Sequence, residues 1–228
     1  MVDSSFMDRH PGLAPDTVTV LWCTTDGDER RKAHTLLVRA AAGMLDVPLS
    51  EIWLEHEEGG RPLLCGAGKP VQVSVTHGRG SLAVALTGGP SVGVDVEVVR
   101  PLRAEAMARA WLDPVETAWV TGLAEEERST AFLWLWTQKE SVGKALGRGL
   151  RRGGMSRRVP LPEAWPPGGG LPPVLRPLPA DREVASAAVL VDGGRRVIGV
   201  AQCVGTGSEG RSAATRVRVQ RVSPAVCS

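Results

Sequence analysis

Asp95, Glu97, Glu140 and Lys144 are the residues whose types and spacing could do chemistry. Asp95 and Glu97 stand two apart in V-G-V-D-V-E-V-V. The alternation of a strand puts both carboxylates on one face, with Val94, Val96 and Val98 on the other. Glu140 and Lys144 stand four apart in the run from Phe132 to Leu150. Helical spacing stacks them one turn apart, in a stripe with Phe132 and Trp136 that starts apolar and ends charged. Taken singly, these are a solubilising strand face and a solvated ion pair worth a few tenths of a kcal/mol. Taken together, three carboxylates delivered by a strand and a helix suit a hard cation with oxygen ligands, shared with a substrate phosphate. His77, preceded by Thr76, ends a short apolar strand just before a glycine. Such a histidine is more often structural than catalytic, but this position leaves it accessible to a ligand.

The elements that must position these residues follow from periodicity. Val18 to Cys23 and Ile52 to His56 read as strands, and Glu29 to Leu45 as a long helix. The runs from Ser81 to Val99 read as a hairpin around the turn G-G-P-S. Leu102 to Trp111 and Pro114 to Leu123 read as short helices, the second capped by Asp113 with Pro114 at its first position. The long helix Ser129 to Leu146 ends at Gly147 and Gly149. Arg148 to Pro179 reads mostly as surface loop. Ala185 to Val191 and Arg195 to Cys203 form a last strand pair. Residues before about Pro15 read as a loose leader, and residues 205–228 as a disordered tail. In that tail Val217, Val219 and Val222 leave room for one edge strand.

These motifs, in this order, resemble the 4′-phosphopantetheinyl transferases, specifically the larger type named after the surfactin-synthetase activator Sfp. The carriers are Gly60-Arg61-Pro62, Thr76-His77, Gly93-Val94-Asp95-Val96-Glu97, then Trp136, Lys139, Glu140 and Lys144, and G-x-G-L ending at Leu150. The likeness runs from about Glu29 to Val204. Two departures stand out: Thr76 replaces the usual serine and keeps its hydroxyl, and Ser74 stands where asparagine is common.

The resemblance implies an α+β fold of two similar lobes related by a pseudo-twofold, residues 1–100 and 101–204, with the active site in the cleft between them. It implies transfer of the phosphopantetheine arm of coenzyme A to a serine of an acyl or peptidyl carrier protein, with release of 3′,5′-adenosine bisphosphate. Magnesium, or manganese in its place, is assigned to Asp95, Glu97 and Glu140. Glu140, or a water it holds, accepts the serine proton. Lys144, His77 and Thr76 are implied at coenzyme A phosphates, and Lys139 among the residues that bind coenzyme A. Arg31, then Lys32, is expected at the 3′-phosphate, and Gly60, Arg61 and Pro62 along the adenine. The shorter, trimeric holo-acyl-carrier-protein synthases are the related alternative, and this longer chain is expected to act as a monomer. An inactive coenzyme A or carrier-protein binding module of the same fold is the second alternative, which the carboxylate trio argues against.

Composition adds bounds. A formal net charge of +2 over 228 residues does not mark a nucleic-acid protein, and the tail arginines come with no recognition fold. No apolar run approaches the ~20 residues of a membrane span. Cys23, Cys65, Cys203 and Cys227 lack zinc spacing, and no signal-peptide pattern precedes them, so free thiols and a cytoplasmic location are expected. His56-Glu57-Glu58 begins like a zinc-protease motif but lacks the second histidine. Trp134 and Trp136 are expected in the core.

Overall fold

The structure, a computed structural model, describes residues 13–66, 68, 70–150, 154–167, 173–204 and 215–227. The expected leader therefore lies largely outside the described residues, as does 205–214 of the expected tail. In chain order the elements are β1 Thr17–Thr24, α1 Glu29–Leu45, β2 Trp53–His56, β3 Pro62–Cys65, β4 Gln72–Gly78, β5 Ser81–Thr87 and β6 Val92–Val98. Then come α2 Ala104–Trp111, α3 Pro114–Gly122, α4 Glu125–Ala145, β7 Arg176–Leu178, β8 Asp181–Val191, β9 Arg196–Cys203 and β10 Arg216–Arg221. A short 3-10 turn, Leu49–Glu51, precedes β2, and another, Pro224–Cys227, follows β10.

Two four-stranded sheets stack face to face, each backed by one long helix. The first has the order β10-β1-β5-β4 and the second β6-β9-β8-β7, while β2 and β3 pair separately. The alternation of each strand decides its two faces. Leu21 and Cys23 of β1, with Leu82, Val84 and Leu86 of β5, pack on Leu36, Leu37 and Ala40 of α1. The opposite residues, Val18, Val20, Trp22, Ala83 and Ala85, meet Val92, Val94 and Val96 of β6 and Ile198 and Val200 of β9 between the sheets. Behind the second sheet, Val197, Ala201 and Val184 face Phe132, Leu135 and Val142 of α4. Thus β5 is buried along its whole length. Phe132 and Trp136 stack at 6.0 Å, as their four-residue spacing predicts.

Glycine sets how closely α4 approaches its sheet. A Cβ at Gly93 on β6 would run into the Ser141 carbonyl, and one at Gly199 on β9 into the Thr137 carbonyl. That contact brings the charged end of α4 onto the residues just after Gly93.

Two expectations about pairing are corrected. The segments from Ser81 to Val99 do not form a hairpin: β5 pairs with β1 and β4, and β6 pairs with β9. The tight hairpin is β4–β5, turning at Arg79 and Gly80, both at positive φ. So β6 leaves the first sheet and joins the second, across the boundary expected near residue 100. The second correction concerns the tail. β10 runs parallel to β1 at the sheet edge, with Val217 opposite Val18. Arg221 lies over the Trp22 ring at 5.2 Å, and its guanidinium is 3.4 Å from an Asp192 carboxylate oxygen. Val217, Val222 and Cys227 are buried, with Cys227 Sγ 3.1 Å from Cys23 Sγ.

Removing this segment should therefore be costly. Three buried side chains at about 1.5–3 kcal/mol each leave the core. A chain ending at Val204 is expected to lose several kcal/mol of stability, and for a chain of this size roughly 10 °C in Tm. Thermal unfolding of the truncated and full chains checks this; matching transitions would reinstate a dispensable tail. Among the described residues, no helix is long and apolar enough to cross a membrane.

Candidate functional site

The charged end of α4, the outward face of β6 and the end of β4 meet at one place. Asp95 is its hub. One oxygen of its buried carboxylate accepts a hydrogen bond from Thr76 Oγ1 at 3.0 Å and from Lys144 Nζ at 2.8 Å. Lys144 also donates to the Val94 carbonyl at 2.9 Å. Ser74, two residues before Thr76, accepts from the Val94 N–H at 3.1 Å and ties β4 to β6 across the sheet boundary. These bonds fix Thr76, Asp95 and Lys144 from three elements.

Glu140 completes the cluster one turn before Lys144. Burial and then the neighbouring Asp95 carboxylate hold its carboxyl above the ordinary carboxylate range; Lys144 opposes this and Glu97 reinforces it. Glu97 is bonded to Arg100 at 2.7 Å. The three predicted carboxylates are thus electrostatic neighbours, but two of them already hold cationic side chains. Among the described residues, no three His, Cys, Asp or Glu side chains stand close enough to form a ready cation cage.

Beside the cluster opens a cleft of about 500 Å³, lined by Arg30, His34, His56, Gly60, Pro62, Val75, Thr76, His77 and Lys144. It contains Gly60, Pro62, Thr76, His77 and Lys144, all expected at a phosphate-bearing ligand. His77 Nδ1 lies 3.8 Å from a Glu29 carboxylate oxygen, and the other Glu29 oxygen accepts from the Gly80 N–H of the β4–β5 turn at 2.6 Å. A second cleft of about 730 Å³ shares Arg30, His34 and His56 with the first and adds Arg31 and Arg39.

Four predicted ligands are displaced. Lys139 is not in the cleft. It is fully buried on the other side of α4, with Nζ 2.7 Å from Glu116 and 2.6 Å from the Arg157 carbonyl. Arg61 does not line the cleft either; it donates to Gln72 and Ser91 and braces β3 against the start of β6. Lys32 is tied to Thr25 Oγ1 and the Asp26 carbonyl, both at 2.7 Å. Arg31 lines only the adjoining cleft, 3.8 Å from its own N-cap residue Asp28. The basic residue of α1 that reaches the site is Arg30, with His34 one turn later. Sequence reasoning missed both, and passed over His56 as part of a failed zinc motif. The i, i+4 spacing of Arg30 and His34 was the available signal, readable once the buried face of α1 fixes the helix phase.

Residues 91–165 match the family model of the 4′-phosphopantetheinyl transferase superfamily. That stretch carries Asp95, Glu97, Glu140 and Lys144. The chain is similar to 4′-phosphopantetheinyl transferase AcpT of Salmonella typhimurium, 30% identical over 118 residues, covering 51% of this chain and 60% of the relative. It is similar to 4′-phosphopantetheinyl transferase HetI of a Nostoc species, 26% identical over 131 residues, covering 54% and 55%. Against 4′-phosphopantetheinyl transferase gsp of Aneurinibacillus migulanus it is 26% identical over 107 residues, covering 47% and 43%. The chain therefore spans 43–60% of the length of these relatives.

Proposed function

We propose that the chain transfers the 4′-phosphopantetheine arm of coenzyme A to a serine of an acyl or peptidyl carrier protein, as a transferase of the Sfp type acting as a monomer. The observation that carries the reading is the junction of Thr76, Asp95, Glu140 and Lys144 at the mouth of a cationic cleft. Its strand and helix lie in the segment that matches the family model. In this reading two lobes related by a pseudo-twofold each set one long helix on one sheet, with β10 completing the first and β6 the second.

Phosphoryl transfer from a pyrophosphate asks a protein chiefly for position and charge neutralisation. Lys144, held by Asp95, is aimed at the cleft as a fixed cation for a phosphate oxygen. Thr76, whose hydroxyl donates to Asp95, steadies that carboxylate, and His77 stands on the same cleft wall as an imidazole donor. Arg30 supplies a further cation from α1. Glu140 is the acid whose surroundings suit proton acceptance, since burial and Asp95 raise its basicity. Asp95, Glu97 and Glu140 offer the hard oxygen donors that magnesium or manganese takes, and a dication would relieve the repulsion that raises Glu140. When bound, such an ion would neutralise the pyrophosphate and ease departure of the leaving phosphate.

The direct test is incubation with coenzyme A, Mg²⁺ and a panel of apo carrier proteins, read by intact-mass spectrometry. One phosphopantetheine arm gained by at least one carrier, and none in the presence of excess EDTA, is expected. No gain across acyl and peptidyl carriers would sink the reading. Affinity gives a finer check. Arg30→Ala should weaken coenzyme A binding by about 10- to 100-fold, the loss of one charge-assisted phosphate contact. Lys32→Ala should leave it within about twofold, because Lys32 is committed to Thr25 and Asp26. Calorimetry with the order of the two variants reversed would return the 3′-phosphate to Lys32.

A further inference from the structure

His34 and His56 stand ring to ring on the wall shared by the two clefts, with centroids 5.4 Å apart and planes tilted by 41°. His34 comes from α1, one turn after Arg30, and His56 from the end of β2. The charged and titratable groups lining the space around them are Asp28, Arg30, Arg31 and Arg39 from α1, His77 from β4 and Lys144 from α4. The one carboxylate among them, Asp28, is occupied as the N-cap of α1, accepting the Arg31 N–H. Two imidazoles this close repel each other when both are charged. Burial, then His56, Arg30 and His77, hold His34 below the usual histidine range, while Asp28 opposes them. An anion beside the two rings reverses that balance, because an opposite charge within about 4–6 Å favours the charged imidazole.

We propose that His34 and His56, with Arg30, form a proton-linked phosphate subsite: a phosphate-bearing ligand entering this wall of the cleft brings a proton from solvent onto the histidine pair. The inference rests on the coenzyme A reading above and adds to it a regulation of the same site by pH. The sign follows from linkage. A bound phosphate would raise the lowered pKa of His34, so affinity rises as pH falls through that window and levels off once both states are protonated.

The experiment is calorimetric titration of the full chain with coenzyme A near neutral pH, in buffers of different ionisation enthalpy. Wild type is compared with the His34→Gln/His56→Gln double variant. A phosphomonoester itself titrates near pH 6, so the difference between the two proteins is the readout. Wild type should take up roughly half to one proton more than the variant, making its affinity fall about three- to tenfold more steeply per pH unit. His56 is exposed, so His56→Gln alone preserves the fold and should remove part of the uptake. Equal uptake by wild type and both variants, with binding intact, overturns this inference alone. Absence of coenzyme A binding by wild type at any pH overturns the transferase reading and this inference with it.

Discussion

Glu140→Gln is expected to lower transfer by at least about 100-fold while Tm stays level or rises. The two halves of that result have one cause. Burial and Asp95 make the ionised Glu140 carboxylate unfavourable in the folded protein. A folded-state pKa above the unfolded value means that ionisation near neutral pH costs stability, so a neutral isostere removes a penalty. In the proposed reaction the same charge would serve as proton acceptor and as an oxygen donor to a divalent cation, and removing one preorganised electrostatic group costs about 10²–10³ in turnover. Asp95→Asn should fall as far in activity but also lose some stability, because the half-buried Lys144 contact becomes charge to neutral. Single-turnover transfer to an apo carrier protein, beside thermal unfolding, separates the two. Glu140→Gln with wild-type turnover would remove the helix from the chemistry. A fall in its Tm matching its loss of activity would reduce the residue to a structural one.

The parts of this site that were legible in the sequence are those set by local periodicity. Period two put Asp95 and Glu97 on one face of β6, with Val94 and Val96 between the sheets. Period 3.6 stacked Phe132, Trp136, Glu140 and Lys144, and the Asp113-Pro114 signal became a capping box at α3. What stayed illegible needed a partner or a phase. Alternation says which face of β6 is buried but not which strand lies beside it, so the short connection suggested β5 where β9 is the neighbour. β10 reads R-V-R-V-Q-R, whose polar half hides an edge strand unless β1 is known to have an open side. Lys139 and Glu140 are adjacent in sequence but about 100° apart around the helix. The motif that contains both therefore says nothing about which of them faces the cleft. The same ambiguity separates Arg30 from Arg31 on α1.

Lys139 supplies the largest stability effect expected of a single substitution in this chain. Its ammonium and the Glu116 carboxylate are both buried, 2.7 Å apart. Glu116 also accepts the Val159 N–H at 2.9 Å and the Asp113 N–H at 3.2 Å, so one acid joins α3, α4 and the segment after α4. Desolvation pulls the Lys139 pKa below its ordinary value, with Glu116 opposing, so the pair exists because each charge is the other's compensation. Lys139→Met leaves the carboxylate buried with only backbone donors. Breaking one side of a buried pair costs about 3–5 kcal/mol, or roughly 10 °C in a protein of this length. Replacing both partners, Lys139→Met with Glu116→Gln, should recover part of that loss, since no charge is then left uncompensated. Coenzyme A affinity, measured below the lowered Tm, should be unchanged in the single variant, because Lys139 lies outside the cleft. The opposite pattern, an unaltered Tm with weakened coenzyme A binding, would move Lys139 back among the coenzyme A ligands. It would also mean that α4 is rotated by about one residue from the phase described above.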